Sequence, residues 1–290
     1  MKPRTHFWSG VAYCALLLSG ATTHASAQGA SALHLASSEP SGAARSSFTA
    51  ADHALAESEF AREQLRHSRV RRAQLNARPR VNRLFHERNI VSPAEVFMRV
   101  FKRDRILEVW VRPLNESRFQ LLKTYGICAA AGRPGPKVRQ GDEQVPEGFY
   151  NIDLFNPNSQ YHLSMRIDYP NARDQAVNRG GELGGDIYIH GGCVSAGCLA
   201  VTNGGIEELY WIALQAHAMG QTSIPVHIFP TRLDGQELER MKSVFSDQPH
   251  LVEFWKTLKP GYEYFEKHHR LPQVVVDGGG RYRVSSRRDG

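Results

Sequence analysis

The stretch Asp186 to Thr202, DIYIHGGCVSAGCLAVT, joins a short β-type run to the approach of a helix through a glycine-bounded turn. Ile187 to Ile189 alternate with polar neighbours and read as a strand ending at His190. Ile206, Leu209, Tyr210 and Ala213 fall on one face at helical spacing. His190 and Cys198 therefore flank a single turn, which also holds glycines, a serine and a second cysteine.

Such a turn suits attack on an acyl carbon. A cysteine is only a few per cent thiolate at neutral pH, and a nearby imidazole can take its proton. Cys198 is the expected nucleophile and His190 the base. Gly197 lets the backbone bend before Cys198, so that the amides of Gly197 and Cys198 face an oxyanion, and the helix beyond adds its positive end. A Cys/His metal site built from His190, Cys193, Cys198 and His227 is the competing reading. Its Cys-x4-Cys spacing matches no common zinc pattern, so neither metal nor cofactor is expected.

The chain has 290 residues, 41% of them hydrophobic, enough to bury a core in one extended domain or two small ones. Its net charge of +7 points to anionic surroundings without choosing among nucleic acid, lipid and cell-wall polymer. Lys2 and Arg4, the apolar run Phe7 to Leu18 and Ala25-Ser-Ala27 read as a secretory signal peptide over residues 1–27. No later stretch approaches the ~20 apolar residues of a membrane span, so a soluble protein outside the cytoplasm is expected. Beyond the leader stand Cys128, Cys193 and Cys198, an odd set in an oxidising compartment. One disulfide at most can form, and a Cys193–Cys198 pair would consume the nucleophile.

Residues 28–88 read as a linker, rich in Ser, Ala and Gly to about Ala51, then in arginine from Arg62 to Arg88. A solvated basic helix is the favoured reading of the second part, and an arm for anionic wall polymer or membrane the alternative. Without interleaved aromatics it is not a nucleic-acid module. Ser92-Pro-Ala-Glu95 has the form of a capping box and predicts a helix running into Val96–Phe101. Strand patterns follow at 105–111, 118–125, 149–154, 162–167 and 223–229, separated by long Gly/Pro turns. After Thr231 the pattern is helical at 236–245 and 250–258, breaks at Lys259-Pro-Gly261, and resumes at 262–268. Gln273 to Val284 reads as a hairpin. Phe254, Trp255, Tyr262, Tyr264 and Phe265 are expected to pack on the catalytic domain rather than line a groove. Periodicity alone thus yields a mixed, strand-rich chain.

His190-Gly-Gly-Cys-Val-Ser-Ala-Gly-Cys198, followed by Thr-Asn-Gly-Gly-Ile-Glu-Glu-Leu-Tyr210, resembles the signature of the YkuD-type L,D-transpeptidase domain, and more narrowly its YafK-like murein-amidase branch. Gly135-Pro-Lys137, Pro146-Glu-Gly-Phe-Tyr150 and Tyr169-Pro-Asn171 also look like family segments. Where commoner members carry a second histidine, this chain has Ala196. The resemblance implies a mainly β fold with flanking helices. Its parts are a curled β-sandwich catalytic domain over 89–230 and a helical and hairpin extension over 231–290. It further implies that the Gly191 carbonyl holds the His190 tautomer, and that the substrate is the peptidoglycan stem, attacked at a diaminopimelate carbonyl in the periplasm. A peptidoglycan-linked outer-membrane lipoprotein is the implied partner if water resolves the acyl-enzyme. Crosslinking or lipoprotein attachment is the alternative, and a non-catalytic wall-binding protein the second alternative. Lys137, Arg166 and Arg173 are candidate clamps for stem carboxylates, with Tyr169 and Ser195 as further substrate contacts.

Overall fold

A computed structural model describes residues 50–90, 93–113 and 115–286. The leader expected at 1–27 and the Ser/Ala/Gly-rich stretch up to residue 49 lie outside them. The described residues contain strands β1 Pro93–Phe101, β2 Ile106–Pro113, β3 Gln120–Gly126, β4 Ala129–Ala130, β5 Gly148–Asn156, β6 Ser164–Ile167, β7 Tyr188–His190, β8 Leu199–Ala200 and β9 Ile224–Phe229, the alternating segments of the sequence among them. Among the described residues these form one curled mixed sheet in the order β3-β2-β1-β9-β5-β6-β7-β8-β4. The expected hairpin is a separate pair, β10 Gln273–Val276 with β11 Tyr282–Ser285. Helices α1 Ala50–Glu57, α2 Glu59–Arg66, α3 Ser68–Glu87, α4 Ala172–Val177, α5 Thr202–Ala218, α6 Gly235–Val244 and α7 Pro249–His268 flank the sheet. The fold is mainly β with flanking helices, as expected, and no helix among the described residues is long and apolar enough to cross a membrane.

Three local expectations are corrected. The helix expected over 92–101 is strand β1, which lies between β2 and β9 near the middle of the sheet. Val96, Met98 and Val100 enter one core, while Phe97 and Phe101 enter cores on the opposite face. A strand covered on both sides shows no apolar-polar alternation, and a capping-box look-alike then carries the local reading.

The arginine-rich segment is neither linker nor solvated helix, because α3 is part of the core. Val70, Ala73, Ala77, Val81 and Phe85 recur at helical spacing and are buried in the core shared with α5. Several arginines there act as struts. Arg80 Nε donates to Glu208 Oε1 on α5 at 2.6 Å, and Arg69 Nη1 donates to the carbonyls of Ser159 and His162, each at 2.6 Å.

The break expected at Lys259-Pro-Gly261 is absent and α7 runs through it. Pro260 is exposed, as is Lys256 four residues earlier, so the carbonyl that loses its helical partner faces water. Gly261 is needed because a Cβ there would come 2.6 Å from the Phe149 ring. Through this approach the helix buries Phe254, Trp255, Tyr262 and Phe265 in the cores beside β1 and β9, while Tyr264 stays half-exposed. The extension and the sheet belong to one compact unit, residues 47–290.

Lys102, just past β1, anchors the long 131–147 loop. Its buried ammonium donates to the carbonyls of Gly135 (2.8 Å), Val145 (2.7 Å) and Arg133 (3.1 Å), and pairs with Glu147 at 3.0 Å. Burial holds its pKa below the ordinary lysine value, against the opposing pull of Glu147. Glu147, fully buried, also accepts from Gly135 N and from Trp255 Nε1 of α7, each at 2.8 Å. Removing either charge strands the other in a dry site. Glu147→Gln and Lys102→Met should each lower unfolding free energy by about 3–5 kcal/mol, and the double variant by clearly less than their sum. Urea denaturation of the three variants measures this, and additive losses would refute it.

Candidate active site

Strand β7 is held on both sides, with Ser164 of β6 opposite His190 and Ala200 of β8 as its parallel partner. Past His190 the chain turns at once. Gly191 N donates to Leu163 O at 3.1 Å, and a Cβ on Gly191 would come 2.7 Å from both Asn203 Oδ1 and Tyr161 O. That crowding admits only glycine.

The buried His190 imidazole has its Nδ1 2.6 Å from Gly191 O, the arrangement the family resemblance implies. A carbonyl only accepts, so Nδ1 carries the proton and Nε2 is left as a base. The Tyr161 ring covers the imidazole with centroids 4.7 Å apart. Burial moves the His190 pKa below the ordinary imidazole value, although the Gly191 carbonyl pulls it up.

Cys198 is half-buried and is the one free thiol among the described residues. Burial pushes that thiol above its ordinary value; the Tyr188 backbone opposes this, the Asp186 charge adds to it, and the Lys137 charge opposes it. The thiol donates to Asp186 O at 3.6 Å, and no hydrogen bond joins it to His190 among the described residues. Both shifts favour neutral imidazole and neutral thiol over a resting thiolate–imidazolium pair. The other two cysteines are joined as Cys128–Cys193, which ties the turn to the segment before β4 and leaves Cys198 unpaired.

Ser195, expected at the substrate, belongs to the turn itself. Its hydroxyl donates to Cys198 O at 2.7 Å and accepts from Gly197 N at 3.2 Å and Ala131 N at 3.3 Å. This also corrects the oxyanion site, since the Gly197 amide is engaged by Ser195 and no hydrogen bond engages the Cys198 amide among the described residues. Gly197 is still required, with φ at +118° and a would-be Cβ 3.1 Å from Gln144 O.

The remaining expected clamps divide. Lys137 is buried, donating to Asp142 Oδ1 and Arg139 O at 2.7 Å each, which makes it a strut of the 131–147 loop whose charge reaches Cys198. Tyr169 is buried too, its hydroxyl 3.4 Å from the carbonyls of Lys137 and Leu183. Arg173 lies over the Phe254 ring of α7 at 4.0 Å, in the packing with the C-terminal helix. Only Arg166 shares the open sheet face with His190, directly opposite Tyr188, and it is held by the Asp153 carboxylate at 3.0 Å. Sequence reading missed Tyr161 and Gln144, which reach the turn from distant loops. It also missed Asn203, whose side chain accepts from Gly192 N at 2.8 Å; the Thr-Asn-Gly-Gly string that opens α5 was the available clue.

If Ser195 shapes the turn rather than contacting substrate, Ser195→Ala should cut kcat about tenfold, equivalent to ~1.4 kcal/mol, with KM nearly constant. Steady-state kinetics decide, and a rise in KM at constant kcat would return Ser195 to the substrate.

Residues 90–228 match the family described as the L,D-transpeptidase catalytic domain, YkuD. Over 208 residues, 71% of this chain and 79% of the relative, the chain is 41% identical to YafK of Escherichia coli K12, whose name marks it as a candidate L,D-transpeptidase. The O157:H7 counterpart matches equally. Among solved structures it is similar to the helical cell shape determining protein Pgp2 of Campylobacter jejuni, with TM-score 0.39 and 18% identity over 63% of this chain and 73% of that one. It is also similar to Bdellovibrio bacteriovorus Bd1075, with TM-score 0.34 and 24% identity over 60% and 63%.

Proposed function

This chain belongs to the L,D-transpeptidase family of peptidoglycan enzymes, and from that premise we propose that it hydrolyses an amide at a diaminopimelate carbonyl, releasing an amine-linked lipoprotein from the stem peptide. The observation that carries a cysteine mechanism is the combination of one unpaired thiol with a histidine whose tautomer is fixed by Gly191 O. An enzyme acting on peptidoglycan works outside the cytoplasm, and the leader-like residues 1–27 support the periplasm.

Cys198 rotates from Asp186 O toward Nε2 and gives up its proton as sulfur attacks the carbonyl. The Cys198 amide faces the oxyanion, and Nε2 returns the proton to the departing amine. Water then cleaves the thioester. Hydrolysis is supported by the compact turn, in which Ala196 replaces a second histidine and Ser195 and the disulfide hold the loop short. The transferase reading is favoured by the name of the E. coli relative, and there an amine replaces water. For the stem carboxylates the better candidates are Arg133 and Arg139, exposed on the 131–147 loop and without an ion pair among the described residues.

Cys198→Ala should abolish turnover of lipoprotein-bearing sacculi while leaving the thermal midpoint within a few degrees. Mass analysis of the products separates released lipoprotein from new crosslinks, and a variant that kept full activity would end the assignment.

The pH profile follows from the two shifts. His190, with its pKa lowered, stays a base below pH 6.5, and Cys198, with its pKa raised, keeps its proton above pH 9.0. A plot of kcat/KM should therefore be flat between these values, falling on the acid side as His190 protonates and on the alkaline side as the thiol ionises. An alkaline limb below pH 9.0, set by loss of an imidazolium proton, would mean a resting ion pair instead, and an acid limb above pH 6.5 would contradict the lowered His190 pKa.

A further inference from the structure

The sheet face that carries His190 is covered over only part of its width. Ile152, Ile167 and Ile189 point into the core with α5, so alternation places Asn151, Arg166 and Tyr188 on the opposite face with His190. A chain of polar contacts crosses that face from the neighbourhood of Cys198. Tyr188 OH donates to Asp186 at 3.2 Å, Arg166 grips Asp153, and Asn151 donates to Asp168 through its backbone N at 2.8 Å and Nδ2 at 3.0 Å. The track ends in a groove of about 850 Å³ between β5, β9 and the segment 271–276. In the strand order β5 lies three places from β8, a separation of roughly 14 Å at ~4.8 Å per strand.

We propose that this groove receives the extended polypeptide on the leaving-amine side of the scissile bond, added as a third strand to the free edge of β10. The proposal rests on the hydrolytic reading above. Two observations support this occupant. First, consecutive residues from Leu271 to Val276 line the groove, so the main chain and not a single set of alternate side chains borders it. Among the described residues strand β10 pairs only with β11, and its sequence Gln-Val-Val-Val has no charge to guard the other edge. Unpaired N–H and C=O groups in a row form a template for an incoming strand. Second, the track carries Asp153, Asp168 and Asp186 against Arg166 alone. Negative charge repels a carboxylate-rich stem and suits the amine side of the bond. The groove floor adds no positive charge, because burial pushes His227 down to about 3 and keeps its imidazole neutral.

The test uses the full chain and three substrates. These are the stem adduct with its polypeptide intact, the same adduct trimmed by protease to the single linked residue, and the intact adduct stripped of its glycan. Val274→Pro and Val275→Pro are made separately, since successive residues of a strand send their N–H groups to opposite edges. The variant that keeps the wild-type thermal midpoint is the one altered at the groove edge. Wild type should prefer the intact to the trimmed adduct by at least tenfold in kcat/KM, and the edge variant should bring that ratio near one. Equal rates in wild type, or a preference that survives in both variants, would overturn the proposal while leaving the hydrolytic reading standing. A hairpin-dependent loss on removing the glycan instead of the polypeptide would overturn it in favour of a glycan groove. Crosslinks in place of release from any adduct would overturn both.

Discussion

The buried pair of Lys102 and Glu147 is the interaction on which the geometry of the turn depends. It gathers three loop carbonyls, one loop amide and the indole of Trp255 around two opposite charges in a site closed to water. A charge so placed is tolerated only when every polar neighbour is satisfied, so the loop has little freedom to move. The loop then passes the constraint on, because Gln144 O closes against Gly197, where a Cβ would stand 3.1 Å away and the φ of +118° already favours glycine. Cys198 follows directly. The position of the thiol is thus set from the end of β1 and from α7, neither of which touches it.

Within the turn, hydrogen bonding is local and nearly saturated. Ser195 satisfies two amides and one carbonyl, Asn203 satisfies Gly192, and the disulfide anchors the middle of the loop. Among the described residues no hydrogen bond engages Nε2 of His190 or the Cys198 amide, and the thiol is bonded weakly to a carbonyl. Burial keeps both titratable groups neutral at rest, so the charge separation that reaction requires arises only when a substrate carbonyl is present to accept the sulfur. A half-buried thiol held protonated is also a poor target for adventitious oxidation, which matters beside a disulfide.

Much of this was legible in the sequence where the local pattern matches the tertiary environment. A strand with one well-buried face, such as the first half of β5, alternates as it should, and His190 with Cys198 stand out because reactive types crowd one turn. The pattern misled where environment and composition part. Strand β1 is covered on both faces, so its apolar residues do not alternate. In α3 the buried stripe is mostly alanine and valine, small residues that arginines outnumber in a sequence window. Pro260 reads as a break but lies on a solvent face, where the lost helical bond costs little. Substrate contacts were least legible, because the partner of a cation is a tertiary fact. Lys137, Arg166 and Arg173 have the same formal charge, yet one supports a loop, one lies in a carboxylate grip on the open face and one covers a phenylalanine ring.

The distribution of charge around the turn gives the site a polarity. On the side of the 131–147 loop stand Arg133 and Arg139, with the buried Lys137 behind them. On the other side Asp186, Asp153 and Asp168 outnumber Arg166. A substrate with carboxylates on its acyl half and an amine at its leaving half has one favourable orientation across such a field, and reversing it would set like charges against each other at both ends. In that orientation the carbonyl lies over Cys198 with the amine toward the acidic track. Once the amine departs along that track, the vacated space is open to solvent. An acidic exit attracts cations, and it leads into the groove beside β10, so the same field that draws the amine half of the substrate along the track keeps its carboxylates on the side of the 131–147 loop.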